Sequence, residues 1–325
     1  MKRREFISLI GGAAAAWPVA AHSQQSSARI GVFAGATNPV MAPAYEAFVE
    51  ELRRFGFNES QNLIIDLRGT DQDFSALSRQ AAEMVRANPV VLAALGSEPV
   101  LRACVAASRS IPIVFVANNY DPIARGYVQG LAEPGGNVTG VFLRQTELAE
   151  KQVELLTEAF PARTRLTVLW DAVSADQFAG AERRAKLLGL QVHSGKVENP
   201  PYNFDAAIQA AAEAGSDMLL VLSSPFFGRQ RDVIAKLSLR QRLPAMFIFK
   251  AYVEAGGLMS YGADNVAMYR QGGAYVAKIL KGAKPTELPV EQPNKYEMVV
   301  NLKTAKAMGV DLPTSILLRA DEVIE

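Results

Sequence analysis

Short apolar runs alternate with amphipathic segments from residue 28 onward, and this alternation restricts the possible folds more than any other feature. Between residues 41 and 55, Tyr45, Phe48, Val49 and Leu52 recur at the spacing of one helix face, which predicts an amphipathic helix. The apolar runs between such segments have the length of buried strands. The first series predicts strands at 29–34, 62–67, 90–95 and 111–117, and helices at 41–55, 74–88 and 99–108.

A second series begins after a turn-rich stretch, residues 118–141, in which Pro134-Gly135-Gly136-Asn137 is typical of a hinge crossing. It predicts helices at 151–160, 176–188, 205–214 and 229–241, and strands at 166–170, 190–197, 218–222 and 245–249. The tail from Gly256 is less regular, with a strand predicted at 258–261, a helix at 266–280 and a strand at 297–301.

Strands that alternate with helices form right-handed βαβ units and parallel sheets. Two separate series therefore predict an α/β protein with two doubly wound lobes, and 325 residues suit two domains of ordinary size. We assign residues 28–120 and about 260–290 to lobe 1. Lobe 2 then takes residues 121–259 and about 291–325, because the irregular tail could pass between the lobes again.

The first 23 residues have the pattern of a secretory signal peptide. A basic start that contains Arg3 and Arg4 precedes an apolar stretch at 6–21, and the small residues Ala21 and Ser23 suit signal peptidase. The paired arginines favour a twin-arginine signal over a general secretory one. No cysteine follows the cleavage region, which disfavours a lipid anchor. We therefore expect an exported protein in the periplasm.

Several classes of function are disfavoured by the composition. The formal net charge of +1 provides no electrostatic basis for binding nucleic acid. The one cysteine, Cys104, cannot form an internal disulfide, and we expect a buried, inert thiol. Outside the signal region the one histidine is His193, in a predicted strand, and no dinucleotide, phosphate-loop, zinc-protease or nucleophile-elbow motif is present. We expect no enzymatic activity, no cofactor and no metal.

Polar and aromatic residues cluster just after the predicted strands. In open α/β sheets, ligands bind beyond the carboxyl ends of the strands. We therefore predict a small-molecule site built from the residues at these ends, namely Thr37, Asn38, Ser97, Glu98, Asn118, Tyr120, Asp121, Asp171, Ser223, Ser224, Phe226 and Phe227.

The polar candidates suit a charged small molecule. Ser97, Ser223 and Ser224 precede helices, where free backbone N–H groups favour an anion such as a carboxylate. Asp121 or Asp171 could bind an ammonium group by a charge-assisted hydrogen bond. Serine and aspartate are also favoured helix caps, so Ser97, Asp121 and Ser223 have a purely structural alternative.

The aromatic candidates suit a flat or apolar ligand group. Tyr120, Phe226 and Phe227 could stack on such a group. The two phenylalanines are adjacent and therefore point in different directions, so one of them is expected in the core. Glu98 has two interpretations, a ligand contact or a solvated acid at the start of a helix.

Seven segments, spread in order over nearly the whole chain beyond the signal, resemble a family of ABC transporter substrate-binding proteins with tryptophan- and tyrosine-binding members. They are IPIVFV at 111–116, PGGNVTG at 134–140, VEAGGLMSYG at 253–262, KILKGAKP at 278–285, LPVEQP at 288–293, NLKTAK at 301–306 and RADEVI at 319–324. The resemblance implies the type I periplasmic-binding fold, in which two Rossmann-like lobes are joined by a multi-stranded hinge and the ligand lies in the cleft between them.

The chain departs from the family pattern where ligand contacts are expected. Members often have Gly-Thr-Pro where this chain has Gly-Ser-Glu-Pro at 96–99, so Glu98 is an added acid. The usual Asp-Pro-Phe-Phe begins with Ser224 here, the usual Asn-Pro begins with Asp171, and Asn119 and Tyr120 precede Asp121 where a small residue is common. The resemblance thus implies the fold and leaves the ligand open.

The favoured hypothesis is a periplasmic solute-binding component of an ABC importer that closes on a small ligand by hinge motion. An amino acid or an aromatic carboxylate is the favoured ligand, and the protein is expected to be a monomer that docks transiently on an inner-membrane permease. The first alternative is a periplasmic receptor module that reports to a sensor. The second is an exported hydrolase, which the shortage of histidine disfavours.

Overall fold

Two β-sheets organise the chain, each in its own lobe. The structure is a computed structural model, and it describes residues 27–34, 41–69 and 75–325. The predicted signal peptide therefore lies outside the described residues. Within them, no helix combines the length and the apolar character that crossing a bilayer requires.

The first sheet has five strands in the order β2-β1-β3-β4-β5, and every neighbouring pair is parallel. The strands are β1 (Ala28–Ala34), β2 (Leu63–Gly69), β3 (Val91–Gly96), β4 (Ile113–Ala117) and β5 (Val138–Phe142). All residues of β4 and β5 are buried, because helices or loops cover both faces of the sheet.

The second sheet has seven strands in the order β12-β11-β10-β9-β8-β6-β7. Its strands are β6 (Arg165–Trp170), β7 (Gln191–Lys196), β8 (Met218–Val221), β9 (Ala245–Phe247), β10 (Met259–Ala263), β11 (Tyr296–Asn301) and β12 (Glu322–Ile324). All neighbours are parallel except β10 and β11, which are antiparallel.

Helices connect the strands as the predicted βαβ units require. The first group is α1 (Ala42–Arg54), α2 (Leu77–Arg86), α3 (Glu98–Ala107), α4 (Gln145–Ala159), α5 (Ala175–Leu187) and α6 (Phe204–Glu213). The second is α7 (Pro225–Arg229), α8 (Arg231–Arg240), α9 (Lys250–Glu254), α10 (Asn265–Leu280), α11 (Leu302–Met308) and α12 (Thr314–Leu317).

Helix α10 returns to the first lobe after the second sheet is almost complete, and it packs against α1. The contact is close because α10 carries two adjacent glycines. A Cβ at Gly273 would lie 2.6 Å from the carbonyl oxygen of Phe48, and one at Gly272 would lie 2.6 Å from Val116. Tyr269 and Tyr275 of the same helix are buried in the core.

The structure confirms the α/β class with two mostly parallel sheets, and most predicted elements lie within a few residues of the observed ones. Strand β5 is absent from the sequence prediction, which treats residues 118–141 as a turn-rich stretch between the two series of elements. Its five-residue VTGVF run contains Gly140 and follows a Pro-Gly-Gly turn, which gives a weak strand pattern. The short helices α7, α9, α11 and α12, and strand β12, were also not predicted.

The chain passes between the lobes near residues 143–144, at Asp264, and near 292–295, which lie between elements of different sheets. Residues 138–142, which the sequence analysis assigned to lobe 2, pair with β4 in the first sheet. We therefore propose a division that follows the sheets, with lobe 1 formed by residues 28–142 and about 265–291. Lobe 2 is then formed by about 145–263 and 296–325.

Candidate functional site

Segments that follow strands of the two sheets meet between the lobes, and the space that they border is called the interlobe cleft below. In lobe 1, Arg125 belongs to the segment after β4, and in lobe 2, Asp176 belongs to the first turn of α5 after β6. The Nη2 atom of Arg125 lies 2.7 Å from the Oδ2 atom of Asp176. Ligands bind beyond the carboxyl ends of the strands in open α/β sheets. We therefore expect one binding space shared by both lobes rather than a separate space in each lobe.

Three consecutive residues after β4 bring polar atoms into the interior. Asn118, Asn119 and Tyr120 are between 4 and 9% exposed. In the described part of the chain, the Oδ1 atoms of Asn118 and Asn119 and the hydroxyl of Tyr120 have no hydrogen-bond partner. Buried polar atoms are almost always paired, so three unpaired ones in a row call for a functional explanation.

Asn118 also connects the strand end to two of the interlobe crossings. Its carbonyl oxygen accepts a hydrogen bond from the side chain of Gln145, which begins α4 just after the first crossing. Its Nδ2 atom donates to the Oδ1 atom of Asn265 at 3.2 Å, at the start of α10. A ligand that bonds Asn118 would therefore contact a residue already tied to the hinge.

Tyr120 packs differently from its two neighbours. Its ring lies edge-on to that of Tyr127, with 6.3 Å between ring centroids, in the apolar cluster that also contains Phe115 and Val128. Burial raises the pKa of its hydroxyl well above the usual value, so the group is neutral. The ring is part of the core beneath the cleft wall.

Ser97 and Glu98 begin α3 at the next strand end. Ser97 is 9% exposed, and its hydroxyl makes no capping hydrogen bond although the residue occupies the N-cap position. The Oε1 atom of Glu98 accepts a hydrogen bond from the Tyr127 hydroxyl at 3.0 Å. Burial and this bond raise the pKa of Tyr127 to about 12. Glu98 is thus engaged by side chains of its own lobe.

Asp121 is exposed and holds a turn. Its Oδ1 atom accepts hydrogen bonds from the backbone N–H groups of Ile123 at 2.8 Å and Ala124 at 3.1 Å. Asp121 therefore has a structural role in a turn, but no helix begins here, so it is not the helix cap named as the alternative to ligand binding.

Lobe 2 contributes a buried carboxylate surrounded by hydroxyl groups. Asp171 has no exposed surface. Its Oδ2 atom accepts hydrogen bonds from Ser224 at 2.5 Å and Tyr202 at 3.2 Å, and its Oδ1 atom accepts one from Ser174 at 3.0 Å. Burial and the Asp171 carboxylate raise the pKa of the Tyr202 hydroxyl, which stays protonated and donates.

Ser223 is held through its backbone. Its N–H donates to the side-chain oxygen of Gln177 at 3.0 Å, and its carbonyl accepts from the same side chain at 3.1 Å. No side-chain cap is involved, because the hydroxyl that caps α7 is that of Ser224. Ser223 and Ser224 are 5 and 6% exposed, so both lie at the inner end of the cleft wall.

The two adjacent phenylalanines separate as expected. Phe227 is fully buried, whereas Phe226 is partly exposed and packs on the edge of the core. Tyr202 makes edge-to-face contacts with both rings, at centroid distances of 5.6 Å to Phe226 and 5.9 Å to Phe227. Phe227 is therefore the core residue, and Phe226 is the ring left at the surface.

Two of the predicted site residues, Thr37 and Asn38, lie outside the described residues. The structure adds Asn119, Gln145, Ser174 and Tyr202 to the set. Tyr202 follows β7 after Pro200 and Pro201, so the strand-end rule could have found it. The strand-end rule did not point to Gln145, because the sequence did not predict β5, which ends just before that residue.

Groups suited to catalysis or metal binding are scarce around the cleft. His193 lies in β7 with its Nδ1 atom 3.2 Å from the Thr167 hydroxyl. Cys104 is buried, which raises the pKa of its thiol to about 12. In the described residues, no group of three or more His, Cys, Asp or Glu side chains is placed to hold a metal ion.

Comparison with known proteins gives consistent relatives. A family model described as ABC transporter substrate binding protein matches residues 29–324. A tyrosine-binding protein of Clostridioides difficile is 22% identical over 290 residues, which cover 86% of this chain and 81% of that protein.

Two solved structures share the fold over nearly the whole chain. A conserved domain protein from Vibrio cholerae superposes with a TM-score of 0.84 at 26% identity, covering 92% of this chain and 100% of that one. An ABC domain in complex with L-Trp from Streptococcus pneumoniae has a TM-score of 0.83 at 24% identity, with the same coverage.

Proposed function

This chain belongs to the ABC transporter substrate-binding protein family, and we propose that it is the periplasmic solute-binding component of an importer. In this proposal the protein binds a small molecule between its lobes and presents the closed form to an inner-membrane permease. Residues 1–23 direct its export. In this proposal it releases its ligand chemically unchanged.

The observation that supports a ligand most directly is the pair of unpartnered side-chain oxygens on Asn118 and Asn119. Both are buried acceptors, and leaving such an atom unpaired costs free energy that a ligand donor would recover. An ammonium group supplies several donors on one atom. We therefore favour a ligand whose ammonium group contacts this wall of the cleft.

An amino acid also needs a partner for its carboxylate. Ser97 supports this part of the proposal. It lies at the N-terminus of the ten-residue helix α3, and its hydroxyl makes no capping hydrogen bond to that helix. On the opposite wall, Phe226 and Tyr202 offer aromatic surface to a side chain. The tyrosine-binding and L-Trp-bound relatives make an aromatic amino acid the first candidate.

Closure follows from the position of Asn118. A ligand bonded to its Oδ1 atom would act on a residue that already holds Gln145 and Asn265, which begin the elements after two crossings. Ligand contacts made only in the closed arrangement would shift the population toward it. Asp171 then serves to orient Ser224 and Tyr202 rather than to contact the ligand.

The test is thermal unfolding of the protein without its first 23 residues, against amino acids and aromatic carboxylates. A ligand at 100 times its Kd adds about 2.7 kcal/mol of stability, a rise in Tm of a few degrees. We expect Asn119→Ala to abolish the rise.

Asn62→Ala is the matched control. Asn62 makes its own hydrogen bonds at the start of β2, so its loss lowers Tm but keeps the ligand-induced rise. A rise that survives in Asn119→Ala would refute this placement of the ligand. Mass spectrometry of the released ligand tests the absence of catalysis, and loss of uptake of that ligand on gene deletion tests the importer role.

A further inference from the structure

One ion pair joins the two lobes away from the crossings. The Arg125 guanidinium, on lobe 1, lies 2.7 Å from the Asp176 carboxylate, on lobe 2. The other ion pairs among the described residues link groups of the same lobe or lie at a crossing. The pair can therefore exist only when the lobes are close together.

Within lobe 1, Arg125 lies beside Glu98, which in turn is hydrogen-bonded to Tyr127. The Nε atom of Arg125 lies 3.8 Å from the Oε2 atom of Glu98, while its Nη2 atom faces Asp176. The other oxygen of Glu98 accepts the hydrogen bond from Tyr127. The Glu98 carboxylate thus lies beside the Nε edge of the guanidinium, and the planar fork presents its Nη2 atom to lobe 2.

Glu98, Arg125 and Asp176 form a row of alternating charge, in the order acid, base, acid, that runs from lobe 1 to lobe 2. Their side chains are partly exposed, 45% for Arg125 and 68% for Asp176. Exposed pairs contribute modestly to folding. Here the pair distinguishes two arrangements of the lobes, so its whole contribution acts on the equilibrium between open and closed forms.

We propose that Glu98, Arg125 and Asp176 form a latch that favours the closed arrangement before any ligand is bound. Arg125 is a positioning residue, since it acts on the geometry of the cleft and has no contact with the proposed ligand groups. The latch also gives Glu98 a role that neither sequence interpretation foresaw. Its effect on ligand affinity rests on the proposed function, whereas its effect on closure does not.

The experiment measures the distance between the lobes in the ligand-free protein. Spin labels at Arg79→Cys on α2 and Lys186→Cys on α5 report on opposite lobes, and the buried Cys104 should remain unlabelled. Pulsed dipolar spectroscopy then compares the parent with Arg125→Gln, Asp176→Asn and the double variant. Each single variant should lower the closed-to-open ratio roughly two- to five-fold.

The double variant separates the pair from incidental effects. Asp176 also lies at the N-terminus of α5, so Asp176→Asn alone could act through the helix. If the latch operates, the double variant should match Arg125→Gln rather than add to it. Additive effects, or an unchanged distance distribution in Arg125→Gln, would overturn the latch.

Arg183→Gln is the matched control, because it breaks an exposed arginine–glutamate pair with Glu150 inside lobe 2. It should leave the interlobe distance unchanged, and an equal shift in this control would also overturn the latch. High salt should open the parent and leave Arg125→Gln unaffected. Once a ligand is identified, Arg125→Gln should weaken its Kd roughly two- to five-fold, and an unchanged Kd would contradict the effect on affinity alone.

Discussion

At the scale of single residues, the buried polar groups around the cleft are of two kinds, those that have hydrogen-bond partners and those that have none. Asp171 is fully buried and its carboxylate accepts hydrogen bonds from three hydroxyl groups, whereas Asn118 and Asn119 keep unpaired oxygens. A buried charge is tolerated only when hydrogen bonds replace the water it has lost. The Asp171 carboxylate is thus satisfied within lobe 2, whereas the two asparagine oxygens of lobe 1 have no described partner.

Ser224→Ala tests how far Asp171 depends on its hydroxyl donors. The change removes a 2.5 Å bond to a buried carboxylate, so it should lower the free energy of unfolding by about 2 kcal/mol in urea denaturation. Ser194→Ala is the comparison, since that hydroxyl accepts a hydrogen bond from Trp170 at an exposed site and its loss should cost about 0.5 kcal/mol. Equal losses would show that the Asp171 network contributes little to stability.

At the scale of elements, β5 decides where the first lobe ends. It pairs with β4 over five residues and is followed at once by the crossing to α4. The pairing needs Gly140, because an ideal Cβ there would lie 2.0 Å from the carbonyl oxygen of Phe115, and its φ is +154°. The glycine that weakened the strand pattern in the sequence is thus the residue that permits the strand.

Gly140→Ala should therefore separate β5 from β4. The added methyl group meets backbone, which cannot move aside as a flexible side chain can, so we expect a loss of about 3 kcal/mol. In Gly136→Ala, four residues earlier, the new methyl group has no neighbour within 4 Å, and a change within about 0.5 kcal/mol is expected. Chemical denaturation of the two variants checks this, and similar losses would argue against a tight β4–β5 contact.

At the scale of the whole molecule, the three crossings are tied to one another and to the site. Asn118 links the first to the second, and Asp264 links the second to the third through Lys295 at 2.9 Å. Asp264 also caps α10 by accepting from the Ala267 N–H group. One apolar cluster contains residues of both lobes, such as Val141 and Val221, so the lobes also share buried apolar surface near the crossings.

The Asp264–Lys295 pair should make stability depend on pH. Burial alone would raise the pKa of Asp264, but the Lys295 ammonium and the Ala267 N–H group outweigh it and hold the pKa below its usual value. A lowered folded-state pKa means stability that is present above the unfolded pKa of about 4 and is lost as the pH falls through the folded value.

Asp264→Asn keeps a good helix cap and removes the charge. It should lower the free energy of unfolding by about 0.5–1 kcal/mol at pH 7, and this difference should shrink as the pH falls below about 4. Glu182→Gln, which breaks an exposed pair with Lys186 within α5, should show a smaller difference at pH 7. A difference for Asp264→Asn that persists unchanged at pH 3 would contradict the assignment.

Periodicity by itself determined the α/β class and most helices and strands. These are local properties, since apolar spacing reports which face of an element is buried. The same information placed Ser97, Asn118, Asp171 and Ser224 just after strand ends, where the structure also has them, each 9% exposed or less.

Only the tertiary structure decided which of two adjacent rings is core, where β5 pairs, and that Glu98 faces Arg125 rather than solvent. Each of these depends on a partner distant in the sequence: Phe227 on Tyr202, Gly140 on Phe115, and Glu98 on Arg125. Residue type and spacing describe what a side chain can do. Which partner it meets depends on how elements distant in the sequence pack together, and residue type and spacing do not report that packing.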